Sequence, residues 1–145
     1  MRYDFIGDIH GHAHILERIL LKLGYQSEGN SYVASDRERK VVFLGDYIDR
    51  GRQNRRVIEI VRGMTETAQA LALMGNHEFN AICYHTRSSS GNDYLRPHID
   101  KNKTQHESFL CEYQTDSAEL EETISWFRSL PIWWENPDIR AIHAC

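Results

Sequence analysis

The chain has 145 residues, 41% of them hydrophobic and 26% charged, with a net charge of −4. That balance suits one folded domain with a single core and excludes a disordered tail, and its acidic sign disfavours a generic electrostatic nucleic-acid binder. No apolar run approaches the roughly 18 residues of a membrane span, Met1-Arg2-Tyr3-Asp4 opens no secretory signal, and Cys83, Cys111 and Cys145 show no metal-type spacing. Neither nucleic acid nor membrane is an expected partner, and a reducing cytoplasm is the simplest location.

In chain order, residues 2–6 read as a first strand. After the turn Gly7-Asp8-Ile9-His10-Gly11, the residues Ile15, Leu16, Ile19, Leu20 and Leu23 recur with helical spacing, and Gly24 closes that helix. Residues 25–40 are polar and irregular, with room for one short strand at Tyr32-Val33. A second strand over about 41–44 delivers Gly45-Asp46-Tyr47-Ile48-Asp49-Arg50-Gly51, and a helix follows with Val57, Ile58, Val61 and Met64 on its inner face. A third strand over about 69–74 delivers Gly75-Asn76-His77-Glu78.

Residues 86–104 have turn chemistry in Ser88-Ser89-Ser90-Gly91-Asn92 and carry Arg87, Arg96, Lys101 and Lys103, which reads equally as a basic lid or a solvated loop. Two capping-box patterns, Thr104-x-x-Glu107 and Asp116-x-x-Glu119, predict two helix starts. The second helix shows Leu120, Ile124, Phe127 and Leu130 on one face and stops at Pro131; Ile139 to His143 reads as a strand. Alternating strands and helices predict an α/β fold, and with no repeat or linker residues 1–145 are expected to form one domain.

The three glycine-flanked runs place carboxylates, imidazoles and an amide at the ends of buried strands. An isolated Gly-Asp pair reads as a helix cap or a turn. Together, the runs supply the donors a two-metal hydrolytic site needs, which points to metal-assisted cleavage of a phosphate ester.

These residues resemble the calcineurin-like metallophosphoesterases of the phosphoprotein phosphatase type. The likeness is greatest to the bacterial branch that includes diadenosine tetraphosphatases and small Ser/Thr phosphatases. The GDxHG, GDxxDRG and GNHE blocks occur in order, and Leu130-Pro131-Ile132…Ile142-His143-Ala144 is similar to the family's fourth block. The resemblance implies a four-layer α/β/β/α sandwich. Because family members carry a further metal-binding histidine and a phosphate-binding arginine beyond that block, it also implies that residues 1–145 are a partial domain, incomplete at the C-terminus, with self-association through the incomplete sandwich as a corollary.

By the same resemblance, Asp8 and His10 hold one metal, Asp46 bridges, and Asn76 and His143 hold a second. The cofactors implied are two divalent ions, manganese first, with iron, zinc or magnesium as alternatives. A metal-bridged hydroxide would attack phosphorus, His77 would give a proton to the leaving oxygen, Asp49 would orient His77, and Arg50 would grip non-bridging oxygens. The substrate is either a diadenosine polyphosphate or other nucleotide, or a phosphoprotein. The competing reading is a catalytically incomplete fragment that binds metal or a partner without turnover.

Other residues are given plainer roles. His12 and His14 sit on the solvated start of a helix; His85, His98 and His106 are surface residues or substrate contacts. Glu78 reads as a hydrogen-bond partner rather than a ligand. Trp126, Trp133 and Trp134 read as core or interface anchors, and nothing marks Cys145 as a nucleophile.

Overall fold

A computed structural model describes residues 1–144; the expectation for Cys145 lies outside the described residues. The elements are β1 (Arg2–Ile6), α1 (Ala13–Lys22), β2 (Tyr25–Glu28), β3 (Ser31–Ala34), β4 (Arg39–Phe43), α2 (Asn54–Glu66), β5 (Ala70–Ala72), α3 (Asn76–Tyr84), α4 (Asp100–Glu112), α5 (Ala118–Ser129), β6 (Trp133–Glu135) and β7 (Arg140–Ile142).

The run Val41-Val42-Phe43 decides the layering. Side chains alternate between the two faces of a strand, and this run is apolar on both, as a strand covered on both sides must be. Val41 and Phe43 enter the main core with Ile6 and Ala72, beneath Leu16 and Leu20 of α1, Val57 and Val61 of α2, Phe109 of α4 and Phe127 of α5. Val42 enters a second cluster on the opposite face with Leu73, Ala141 and Trp134, where the antiparallel β6–β7 hairpin packs.

Strands β1, β4 and β5 form one sheet in that order, and both pairings are parallel. Their carboxyl ends therefore lie along one edge, where ligands bind in open α/β sheets. The segments after Ile6, Phe43 and Ala72 all leave from that edge, and these are the segments that carry the carboxylates and imidazoles. The α/β class read from the sequence is the observed one.

Three local details differ from the sequence reading. Residues 25–34 form a hairpin, β2–β3, in place of a single short strand; Tyr25 and Tyr32 are its buried residues, too few to produce a readable alternation. Helix α4 begins at Asp100 with Ile99 at its N-cap, so Thr104 lies inside the helix rather than capping it. Helix α5 is capped by Ser117, whose hydroxyl accepts the Leu120 N–H at 3.1 Å, one residue beyond Asp116. Among the described residues no helix is long and apolar enough to cross a membrane.

One ion pair joins two strands of the sheet and reaches the β2–β3 hairpin. The Asp4 carboxylate of β1 accepts Arg39 Nε at 2.7 Å and Nη2 at 2.9 Å from β4, and the Tyr25 hydroxyl at 2.9 Å. The Arg39 hydrogen bond holds Asp4 below the ordinary carboxylate range against the opposing effect of partial burial, with Tyr25 assisting. A depressed folded-state value means that this stabilisation is present above the unfolded value of about 4 and is lost as pH falls through the folded one. Asp4→Asn is expected to lower stability by about 1–2 kcal/mol at pH 7. In urea unfolding, the gap between the two proteins should close toward pH 3, and a constant gap would contradict this account.

Candidate metal centre

The turns after β1 and β4 leave the sheet side by side and are stitched together by main-chain bonds. His10 N–H donates to Asp46 O at 2.9 Å, Gly11 N–H to Tyr47 O at 2.8 Å, and Gly51 N–H to His10 O at 2.8 Å. At the crossing the two backbones touch: a Cβ on Gly51 would lie 2.5 Å from the Gly11 carbonyl carbon and oxygen, so only glycine fits. The approach is strained elsewhere. Asp8, His10, Asp46, Asp49 and Arg50 have φ of 52°, 44°, 58°, 70° and 76°. Left-handed backbone at a residue with a side chain costs on the order of 1 kcal/mol and persists only where the surroundings enforce it.

Glu78 is a main enforcer. It is wholly buried at the start of α3, where its carboxylate accepts the N–H groups of Asp46 at 2.9 Å, Tyr47 at 2.8 Å and Gly75 at 2.9 Å. Burial pushes its carboxyl up to about 7, and the three N–H groups act in the opposite direction. Glu78 therefore fixes the Asp46 turn against the turn after β5, in keeping with its reading as a hydrogen-bond partner.

The donor atoms converge on Asp46. His10 Nδ1 contacts Ile48 O at 2.9 Å and His143 Nδ1 contacts Leu44 O at 2.7 Å. A carbonyl only accepts, so each Nδ1 carries a hydrogen, and a ring in its neutral form then presents an Nε2 lone pair to a cation. His10 Nε2 lies 3.6 Å from Asp46 Oδ2, and His143 Nε2 lies 3.5 Å from Asp46 Oδ1. Asn76 Oδ1 is 2.9 Å from His143 Nε2. Lone pairs facing lone pairs repel unless positive charge lies among them, so this donor set fits divalent cations.

Two groups of possible ligands share Asp46: Asp8 with Asp46 and His143, and His10 with Asp46 and His77, each with its donor atoms within 4.8 Å of one another. The five residues read from the sequence as metal ligands are thus brought to one place, with Asp8 and Asn76 on its exposed side. His12 and His14 lie outside both groups; their Nδ1 atoms contact Ile9 O and Gln53 Oε1 instead.

Next to these donors, His77 Nδ1 donates to Asp49 Oδ2 at 2.6 Å. That hydrogen bond raises the His77 pKa against the effect of burial, with Asp46 adding to it. Burial works against a charged Asp49, yet hydrogen bonds from His106 and His77 outweigh it and hold the carboxyl below its ordinary value. Arg50 is exposed at the rim.

The calcineurin-like phosphoesterase family model matches residues 1–144. The chain belongs to this family. A relative from Oceanobacillus iheyensis named bis(5'-nucleosyl)-tetraphosphatase PrpE, asymmetrical, is 42% identical over 77 residues, which are 53% of this chain and 30% of that protein. Among solved structures, a metallophosphoesterase from Sphaerobacter thermophilus superposes with a TM-score of 0.58 at 22% identity, covering 97% of this chain and 45% of that one. A cold-active protein-tyrosine phosphatase of a psychrophilic Shewanella species gives 0.59 at 20% identity, covering 96% and 42%. The chain spans less than half the length of each, and at these identities the structural likeness shows the phosphoesterase fold alone.

The sequence reading missed one residue beside these donors. His106, read as a surface residue or a substrate contact, is buried, and its Nδ1 donates to Asp49 Oδ1 at 2.7 Å. His85 is half-buried behind it, with Nε2 3.2 Å from His106 Nε2. The stripe Asn102, His106, Phe109 and Tyr113 has helical spacing and is buried throughout, but its two polar members conceal it from a hydrophobic-pattern search. Of the basic residues, Arg96 is tied to Asn80 Oδ1 and Gln105 Oε1 at 3.0 and 2.6 Å, and Arg87 packs over the Tyr94 ring at 5.0 Å.

Glu78→Gln would turn an amide NH₂ toward main-chain N–H groups that now meet an oxygen. The expected cost is about 2–4 kcal/mol in thermal or urea unfolding. Amide exchange at Asp46, Tyr47 and Gly75 should also accelerate in this variant; unchanged protection there would show that Glu78 does not hold the turn.

Proposed function

We propose that this chain carries the catalytic donors of a metal-dependent hydrolase of phosphate esters and phosphoanhydrides, with dinucleoside polyphosphates as the preferred substrate class and a cytoplasmic setting. The observation that carries the reading is the placement of the Nε2 atoms of His10 and His143 against opposite oxygens of Asp46. The substrate class is supported by the relative named as a bis(5'-nucleosyl)-tetraphosphatase, 42% identical over 77 residues.

By the family resemblance Asp8, His10 and Asp46 would hold one divalent ion, and Asp46, Asn76 and His143 a second, whereas the donor atoms lie together as Asp8, Asp46 and His143 and as His10, Asp46 and His77; manganese is the first candidate for such mixed oxygen and nitrogen donors. Bound ions at such a site supply charge neutralisation of the phosphoryl oxygens and activation of water. The chain's own residues do the rest. Asp49 accepts the Nδ1 hydrogen of His77, so the proton that His77 can release sits on Nε2, and its raised pKa favours the protonated form that a proton donor to a leaving oxygen requires. Exposed Arg50 can pair its planar fork with two non-bridging oxygens.

Phosphate release from diadenosine tetraphosphate and from a phosphoserine peptide, measured side by side with added Mn²⁺, tests the reading. Two bound ions by calorimetry, with turnover of the dinucleotide, are expected. Faster turnover of the peptide would move the substrate class to phosphoproteins. One ion without turnover of either would favour the reading in which the chain binds metal but does not catalyse. His77→Asn is expected to lower kcat by about 10²–10⁴-fold with metal stoichiometry unchanged, whereas loss of a bound ion in this variant would make His77 a ligand instead.

A further inference from the structure

We propose that His106 is a positioning residue that fixes the plane of Asp49 and, through it, the aim of His77; the inference rests on the reading of His77 as the proton donor. A carboxylate held through one oxygen rotates easily, because its terminal torsion is broad. Asp49 is held through both. Its Oδ2 accepts the Nδ1 hydrogen of His77 at 2.6 Å and its Oδ1 accepts that of His106 at 2.7 Å. Two imidazoles at opposite oxygens leave one orientation of the carboxylate that satisfies both.

His106 can impose this because its own ring is fixed on every side. It stacks on Phe109 with centroids 4.7 Å apart and planes 16° from parallel. Its Nδ1 hydrogen is committed to Asp49, and its Nε2 lies 3.2 Å from His85 Nε2, a contact in which one ring donates and the other accepts. Burial, with the neighbouring imidazoles, lowers His85 to about 4, which keeps it neutral. His77 and His106 thus both direct an Nδ1 hydrogen at Asp49.

The helix that carries His106 is docked by a separate contact. Glu112, also on α4, accepts the N–H groups of Asn54 and Arg55 at 2.6 and 3.1 Å, at the amino end of α2 where negative charge is favoured. Asn54 Oδ1 in turn accepts the Asp49 N–H at 2.8 Å. Helix α4 thus reaches Asp49 twice, through its carboxylate and, by way of Asn54, through its main chain. Asp49 also lines a small pocket of about 10 Å³ with Asn80, Tyr84, Arg96 and Asn102 among others.

Packing alone is the competing role for a buried histidine with satisfied nitrogens, and the leaving group separates the two roles. His106→Phe keeps the ring and removes the donor; His106→Asn keeps an N–H near the place of Nδ1. In the full chain with Mn²⁺, His106→Phe is expected to lower kcat for phenyl phosphate by about 10–100-fold with KM little changed. The loss should be several-fold smaller for p-nitrophenyl phosphate, whose leaving group needs little protonation, and His106→Asn should regain most of it. Equal losses on both esters, or no recovery in His106→Asn, would overturn the positioning role while leaving the hydrolase reading intact.

A proton NMR arm is independent of turnover. Imidazole Nδ1 hydrogens bonded to a carboxylate resonate far downfield, and two such signals are expected in the wild type. His106→Phe should remove one and displace the other, and an undisplaced survivor would overturn the proposal. Should neither ester be hydrolysed, these signals alone decide whether His106 holds Asp49, and the hydrolase reading is judged separately on diadenosine tetraphosphate. If His106→Phe does not fold, His85→Phe, which removes only the imidazole in contact with His106 Nε2, should displace both signals; two unmoved signals would count against the inference.

Discussion

Asp46, Asp49 and Glu78 are three carboxylates buried at one junction of turns, and the structure there is organised by the need to compensate them. An unpaired buried charge costs several kcal/mol, so each must find donors or give up its ionisation. Glu78 collects three main-chain N–H groups. Asp49 collects two imidazole N–H groups and lies beside an arginine-lined cavity. Asp46 is the exception. It accepts one main-chain N–H, from His77 at 3.1 Å, and otherwise faces the Nε2 atoms of His10 and His143. The least compensated of the three carboxylates is the one on which both groups of possible metal ligands meet.

The same junction explains where strain is tolerated. Among the described residues, five of the seven left-handed residues with side chains are Asp8, His10, Asp46, Asp49 and Arg50, all on the two turns that leave β1 and β4. Neither turn would hold these dihedrals alone. They are imposed by a parallel sheet whose strand ends are in register, Ile6 beside Phe43, by glycines that let the turns cross in contact, and by Glu78, which binds the second turn to α3. A rigid sheet thereby stores a few kcal/mol of backbone strain in the segment that must aim the donors.

Much of this was legible in the residues. The strand ends, the glycines and the donor types of the three turns carry local signals, because a buried β-branched run, a tight turn and a hard ligand each restrict which residue can stand at a position. Helix α4 carried no such signal. Its buried stripe mixes Asn102 and His106 with Phe109 and Tyr113, and the capping pattern at Thr104 suggested a start one turn too late. Polar residues inside a helix are buried only when a distant partner satisfies them, and the partner of His106 is Asp49, 57 residues earlier in the chain. A contact of that kind is a property of the assembled fold. The same holds for the left-handed dihedrals, which no residue type but glycine announces.

Likeness in fold to a protein-tyrosine phosphatase and likeness in sequence to a dinucleoside tetraphosphatase are compatible, because the donor atoms and the remaining surface come from different parts of the chain. The donors stand at strand ends, where the sheet dictates their positions. The segment between α3 and α4 is built otherwise: His98 stacks between Tyr84 and Tyr94 with centroids 3.9 and 4.0 Å away, and Arg87 covers the outer ring. This segment meets the centre through Tyr84, His85 and His106, whose rings pack edge and face behind Asp49. Sequence changes here would leave Asp8, His10, Asp46, Asn76 and His143 where the sheet puts them and would act on the imidazole–carboxylate pair instead. The sheet thus fixes the donor cluster, while the α3–α4 region packs against the His77–Asp49 pair through His106.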